Sequence, residues 1–94
     1  MKEKTEVTQQ EVENVFARYG KVVIESLMLS DCQPQLSDRL EDLGADSLDV
    51  LTIITKAEKE FGVRIDSYSW DKGNRLQQNC EDIARRLKET GQLA

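Results

Sequence analysis

Apolar residues recur every three or four positions from Val12 through Phe16, Tyr19 and Val23 to Leu27. That interval marks one face of an α-helix. Thr8-Gln9-Gln10-Glu11, just ahead of it, matches a capping box, in which the threonine oxygen satisfies a late backbone N–H and the glutamate reaches back. Gly20 weakens this helix locally without ending it. A second periodic stretch runs from about Ser47 to Glu60. Val50, Ile54, Ala57 and Phe61 form its inner stripe, Leu51 and Ile53 flank it, and Gly62 supplies the stop. Val63 and Ile65 carry the apolar surface into an extended connector, a run too short for an independent strand. Ser67 to Lys72 predicts a short turn of helix bearing Tyr68 and Trp70, and Gly73-Asn74 predicts a loop. The last helix is expected to open at Asn79 as N-cap, with Glu81 and Asp82 in its first turn. Ile83, Ala84 and Leu87 then face inward, and Gly91 ends it.

Between the first two helices, Ser30 to Asp46 reads as a long connection holding the chain's one proline, Pro34. A loop of this length in a small domain is functional or ordered by short turns. Leu40 and Leu43 are expected to pin it to the core, and Gly44 suits a left-handed position before the next helix. The pattern therefore predicts an all-α fold: a four-helix bundle with three long helices, one short helix and a long first loop. The 94 residues allow one domain, 1–94, with a core from about 8 to 90.

Composition narrows the chemistry. Histidine is absent, which removes Cys/His zinc patterns and histidine-based triads, so neither a metal site nor a catalytic residue is expected. Cys32 and Cys80 are too few for a disulfide framework and are expected as reduced thiols, Cys80 in the core. No apolar run is long enough to span a membrane, and Met1-Lys2-Glu3-Lys4 lacks the apolar region of a signal peptide. A cytoplasmic protein without membrane insertion is the expectation. The net charge of −5 is unevenly spread: residues 31–49 hold six acids against Arg39 alone, while residues 50–94 hold eight bases and seven acids. The field around Ser47 is thus negative, which disfavours nucleic acid and steers basic protein partners toward it.

Ser47 stands where the loop turns into the second helix. A hydroxyl there is exposed, beside unsatisfied backbone N–H groups and the positive helix end, and tolerates an anionic substituent. The segment Leu43-Gly44-Ala45-Asp46-Ser47-Leu48-Asp49 closely resembles the attachment site of acyl carrier proteins. The likeness extends back to Leu40-Glu41-Asp42 and forward through Leu51, Ile53, Ile54, Glu58 and Glu60 to Phe61. Similarity covers Thr8 to Glu89, and residues 40–61 are its specific part.

The resemblance implies that Ser47 accepts 4′-phosphopantetheine from coenzyme A through a separate phosphopantetheinyl transferase, with Asp46 orienting that enzyme and its metal. The arm's thiol would hold acyl groups as thioesters for acyl-transferring or condensing enzymes of fatty-acid, lipid or polyketide-type biosynthesis. The protein itself would be a monomeric carrier, not an enzyme. Leu48, Asp49, Leu51 and Glu58 would contact partners. Val50, Ile54, Ala57, Phe61, Val63 and Ile65 would pack a core that can open to admit an alkyl chain, with Trp70 as a packing lid or, alternatively, a substrate-facing residue. Thr52, Lys56, Lys59 and Arg64 interrupt the acidic face usual in the family, and Asp66 stands where a proline is common. These departures imply a specialised carrier, with Lys56, Lys59 and Arg64 restricting the choice of partner. Two other readings stay open: a carrier of aminoacyl or peptidyl groups, and a non-modified helical interaction module in which Ser47 is a plain helix cap.

Overall fold

A computed structural model describes residues 6–91; the Met1–Lys4 segment and the outermost ends of the 1–94 domain lie outside the described residues. Three α-helices carry the fold: α1, Gln9–Leu27; α2, Ser47–Phe61; and α3, Leu76–Glu89. Two 3-10 turns, Glu41–Leu43 and Ser67–Ser69, interrupt the connections. Among the described residues there is no strand, only an isolated antiparallel bridge between Arg39 and Arg75. None of these helices is long and apolar enough to cross a membrane.

The capping box at Thr8 forms as expected: the Glu11 N–H donates to Thr8 Oγ1 at 3.1 Å and the Thr8 N–H to Glu11 Oε1 at 2.9 Å. Lys88 Nζ reaches the same carboxylate at 3.0 Å, tying the end of α3 to the start of α1. The Thr8 amide and then Lys88 hold the Glu11 carboxyl below its ordinary range. The buried face of α1 is wider than the expected stripe. Val12, Val15, Tyr19, Val22 and Val23 are buried, whereas Phe16 and Leu27 sit at its edge. α1 packs against both α2 and α3, so an apolar arc broader than one row is what two neighbours require.

The long first connection is tied down by non-local backbone bonds. Leu40 N–H donates to the Asn74 carbonyl at 3.0 Å and Glu41 N–H to that of Lys72 at 2.8 Å. In return, Leu76 N–H donates to the Asp38 carbonyl and Gln77 N–H to that of Leu36, both at 2.9 Å. Leu40 is fully buried, Leu43 is partly so, and Gly44 adopts φ 96°, a conformation that glycine tolerates best.

These bonds explain two corrections. α3 opens at Leu76, not at Asn79, because carbonyls of the first connection satisfy the Leu76 and Gln77 amides, while the Gln78 side chain accepts the Arg75 N–H at 2.9 Å. Asn79 instead lies inside the helix, 1% exposed, where its Oδ1 accepts the Tyr19 hydroxyl at 2.8 Å. The short helix expected over 67–72 is a single 3-10 turn, capped by Asp66, whose Oδ1 accepts Tyr68 N–H at 2.9 Å. Trp70 then turns extended and buries its indole, which leaves Tyr68 pointing into solvent.

Candidate functional site

Ser47 is the first residue of α2 and is exposed. It does not cap the helix. Asp46 does: the Asp49 N–H donates to Asp46 Oδ1 at 2.8 Å, and the Asp46 N–H donates to Asp49 Oδ2 at 3.0 Å. This reciprocal box fixes the backbone on both sides of Ser47 without using its side chain. The Ser47 hydroxyl has no hydrogen bond among the described residues. Neither do the backbone N–H groups of Ser47 and Leu48. An exposed alcohol, two unpaired amides and the positive end of a 15-residue helix therefore meet at one point. That donor set fits a phosphodiester.

A cleft of about 520 Å³ opens beside this serine. Val50 and Leu51 line it from α2, and Trp70 and Gly73 line it from the stretch after the second 3-10 turn. Its charged lining residues are Glu41, Asp71 and Lys72, and the Glu41 N–H donates to the Lys72 carbonyl. Three segments far apart in sequence thus converge next to the Ser47 hydroxyl.

The other residues singled out in the sequence fall into two groups. Ile54, Ala57, Phe61, Val63 and Ile65 are packed into the core together with Val50. Of these six, Val50 lines the cleft. Leu48, 73% exposed, and Leu51, 51% exposed, form an apolar outer edge on α2. Lys56, Lys59 and Arg64 are exposed as well, and Lys56 and Lys59 border a shallow groove with Leu51, Thr52 and Thr55. Glu58 is half-buried, and its carboxylate accepts the Ile65 N–H at 2.8 Å, bracing the connector after α2. Arg18 closes the same end of the helix, pairing with Glu60 at 2.9 Å and lying 4.5 Å over the Phe61 ring.

Trp70 was expected as a packing lid, with a substrate-facing role as the alternative. It is 5% exposed, meets Tyr19 edge-on at 5.9 Å between ring centroids, and donates from Nε1 to Asp82 Oδ2 at 2.8 Å, yet also lines the cleft at Ser47. Asp82 is further held by Arg86 at 3.0 Å and by Arg85. Burial pushes both the Tyr19 phenol and the Cys80 thiol well above their ordinary values, so both stay protonated. Cys32 is exposed.

A small helical bundle that presents one uncommitted serine at the head of a capped helix is the architecture of a carrier domain with a tethered prosthetic arm. The family model described as the phosphopantetheine attachment site matches residues 21–69. The chain is 34% identical over 61 residues to the acyl carrier protein of Thermotoga maritima, covering 64% of this chain and 75% of that protein. It is 41% identical over 56 residues to the acyl carrier protein of Zymomonas mobilis, covering 58% and 72%. Against the acyl carrier protein of Nitratidesulfovibrio vulgaris strain DP4 it is 46% identical over 55 residues, covering 56% and 71%. The chain belongs to the acyl carrier protein family. It is accordingly a carrier and not a catalyst, its cofactor is covalent 4′-phosphopantetheine, and its partners include a phosphopantetheinyl transferase and biosynthetic enzymes.

Proposed function

We propose that Ser47 Oγ is the attachment point and that residues 1–94 act as a single carrier domain for acyl groups in fatty-acid, lipid or polyketide-type biosynthesis. The observation that carries the reading is the state of Ser47: exposed, first in α2, its hydroxyl unused because Asp46 and Asp49 cap the helix for it. When attached, the prosthetic group supplies a thiol that holds the acyl chain as a thioester. The protein's own residues present and orient that group. Asp46 and Asp49 keep the start of the helix rigid and negative toward an approaching transferase. Unpaired Ser47 and Leu48 amides favour the phosphodiester. Tethering raises the effective concentration of cargo at each partner's active site.

Leu48 and Leu51 are the apolar contacts offered to partner enzymes, and Asp49 is the charged one. Lys56, Lys59 and Arg64 extend that surface with positive charge and restrict it to dedicated partners with mixed or acidic patches. In this reading the Ser67–Ser69 turn stands in for the short fourth helix of the bundle, and the protein acts as a monomer in the cytoplasm. The test is direct. With coenzyme A and a broad-specificity phosphopantetheinyl transferase, the protein gains one arm on the peptide containing Ser47. A Ser47→Ala protein that still gains the arm overturns the assignment.

A further inference from the structure

A second, polar pocket of about 400 Å³ lies between α3, the Ser67–Ser69 turn and Asn74. We propose that it binds a small carboxylate that carries a hydroxyl or ammonium group beside the carboxylate. Ser47 does not line this pocket, so the proposal stands apart from the attachment reading.

Three side-chain amides supply the donors. Asn74 Oδ1 accepts the Asp71 N–H at 2.7 Å, and Gln78 Oε1 accepts the Arg75 N–H at 2.9 Å. A backbone N–H can only donate, so these bonds fix which way each amide is turned. The NH2 end of each has no partner among the described residues, and both residues line the pocket. Asn79 repeats the pattern at greater depth. It is 1% exposed, its Oδ1 accepts the Tyr19 hydroxyl at 2.8 Å, and its Nδ2 has no partner among the described residues. That nitrogen is not sealed in the core; among the described residues, the enclosed side-chain atom without a partner is Ser26 Oγ on α1. Asn79 lines the pocket, so its two N–H groups are met from there. Leaving them unmet would cost stability at a buried position.

Charge sets the class of ligand. Two arginines share one carboxylate: Arg85 donates to Asp82 Oδ1, and Arg86 donates to Asp82 Oδ2 at 3.0 Å. Trp70 Nε1 donates to the same Oδ2 at 2.8 Å, so both oxygens of Asp82 are committed. Arg86 also spends Nη1 on the Arg64 carbonyl at 2.8 Å, whereas Nε and Nη1 of Arg85 have no partner among the described residues. A cation in excess and three amide donors suit the oxygens of a carboxylate. One acceptor is left over. Asp66 Oδ1 accepts the Tyr68 N–H at 2.9 Å, and its Oδ2 has no hydrogen bond among the described residues. A bare carboxylate meets repulsion from Asp66, whereas a hydroxyl or ammonium beside it turns Asp66 into a partner. The volume falls in the range of small-molecule sites.

The full chain, uniformly 15N-labelled, is titrated at constant ionic strength with L-serine, L-lactate, propionate and ethanolamine. L-serine and L-lactate are expected to shift the side-chain NH2 resonances of Asn74, Gln78 and Asn79 and the indole N–H of Trp70, the one tryptophan in the chain, and to saturate. Propionate lacks the donor and should need about tenfold more for half-saturation, the ratio that one hydrogen bond supplies. Ethanolamine lacks the carboxylate and should leave these resonances in place. Gln78→Glu, at an exposed position, keeps the acceptor for the Arg75 N–H but replaces a donor by an anion. It is expected to keep the thermal transition and to weaken L-lactate binding by about tenfold or more. Asp66→Asn keeps an acceptor for Tyr68 and should erase the preference for L-lactate over propionate. Three results each overturn the proposal: no saturable shift with L-serine or L-lactate, unchanged L-lactate binding in Gln78→Glu, or propionate equal to L-lactate in the unaltered protein.

Discussion

Tyr19→Phe isolates one interaction that organises the centre of this bundle. The substitution keeps the ring, and with it the edge-on contact to Trp70, and deletes only the hydroxyl. That hydroxyl donates to Asn79 Oδ1 at 2.8 Å between residues that are 0% and 1% exposed. A hydrogen bond contributes about 0.5–1.5 kcal/mol net, and an acceptor left buried without a partner costs about 1–3 kcal/mol. The variant should therefore lose roughly 2 kcal/mol. For a domain of this size each kcal/mol lowers Tm by about 4–8 °C, so a fall of roughly 10 °C is expected. Because burial keeps the Tyr19 phenol protonated well past its ordinary range, the loss should be the same at neutral and mildly alkaline pH. The assay is urea unfolding followed by circular dichroism, on Tyr19→Phe, Asn79→Ala and the double variant. Each single variant orphans one partner, whereas the double variant orphans neither, so the double should be destabilised by about 1 kcal/mol or more less than the sum. A loss below about 0.5 kcal/mol for Tyr19→Phe, with strict additivity, would refute the bond as a determinant of packing.

Phe61→Ala removes a ring that is 4% exposed at the end of α2, so unfolding free energy should drop by about 3–5 kcal/mol; a change under about 1 kcal/mol would place the ring outside the core. In the native protein, iodoacetamide at neutral pH should label Cys32 alone, since Cys80 is buried and its thiol is held protonated; equal labelling of both cysteines contradicts that burial. Replacing Lys56, Lys59 and Arg64 together by glutamate should raise turnover by general fatty-acid synthesis enzymes with basic docking patches, with a gain that shrinks at high salt. Unchanged turnover at low salt would move partner selectivity away from these residues.

What was legible in the sequence follows the range of the interactions. The capping box of Thr8 with Glu11 is read from four consecutive residues, whereas the equally local box of Asp46 with Asp49 emerges only in the structure, since by residue type Ser47 was the cap candidate. The serine motif is equally local, and periodicity alone places Ile54, Ala57 and Phe61 in the core. The start of α3 was misread because its amides are satisfied by carbonyls of residues 36 and 38, some forty positions away. Asn79 looks like a cap by residue type, and only the fold brings it to Tyr19. Trp70 and Tyr68 are two positions apart and both aromatic, yet one is 5% exposed and the other 97%. Nothing local distinguishes them, since the choice depends on Asp82 and Tyr19 being within reach of one and not the other. The cleft at Ser47 was illegible for the same reason: its walls come from residue 41, from the start of α2 and from residues 70–73.

The central claim is that Ser47 carries a phosphopantetheine arm loaded with an acyl group. Its most direct test is the intact mass of the protein recovered from its native cell without reducing thioester-cleaving agents, followed by peptide mapping. The account predicts a population heavier by one phosphopantetheine plus an acyl group, all of the added mass on the peptide bearing Ser47, and loss of the acyl part on treatment with hydroxylamine. Protein recovered wholly unmodified, or modified at another residue, would contradict it.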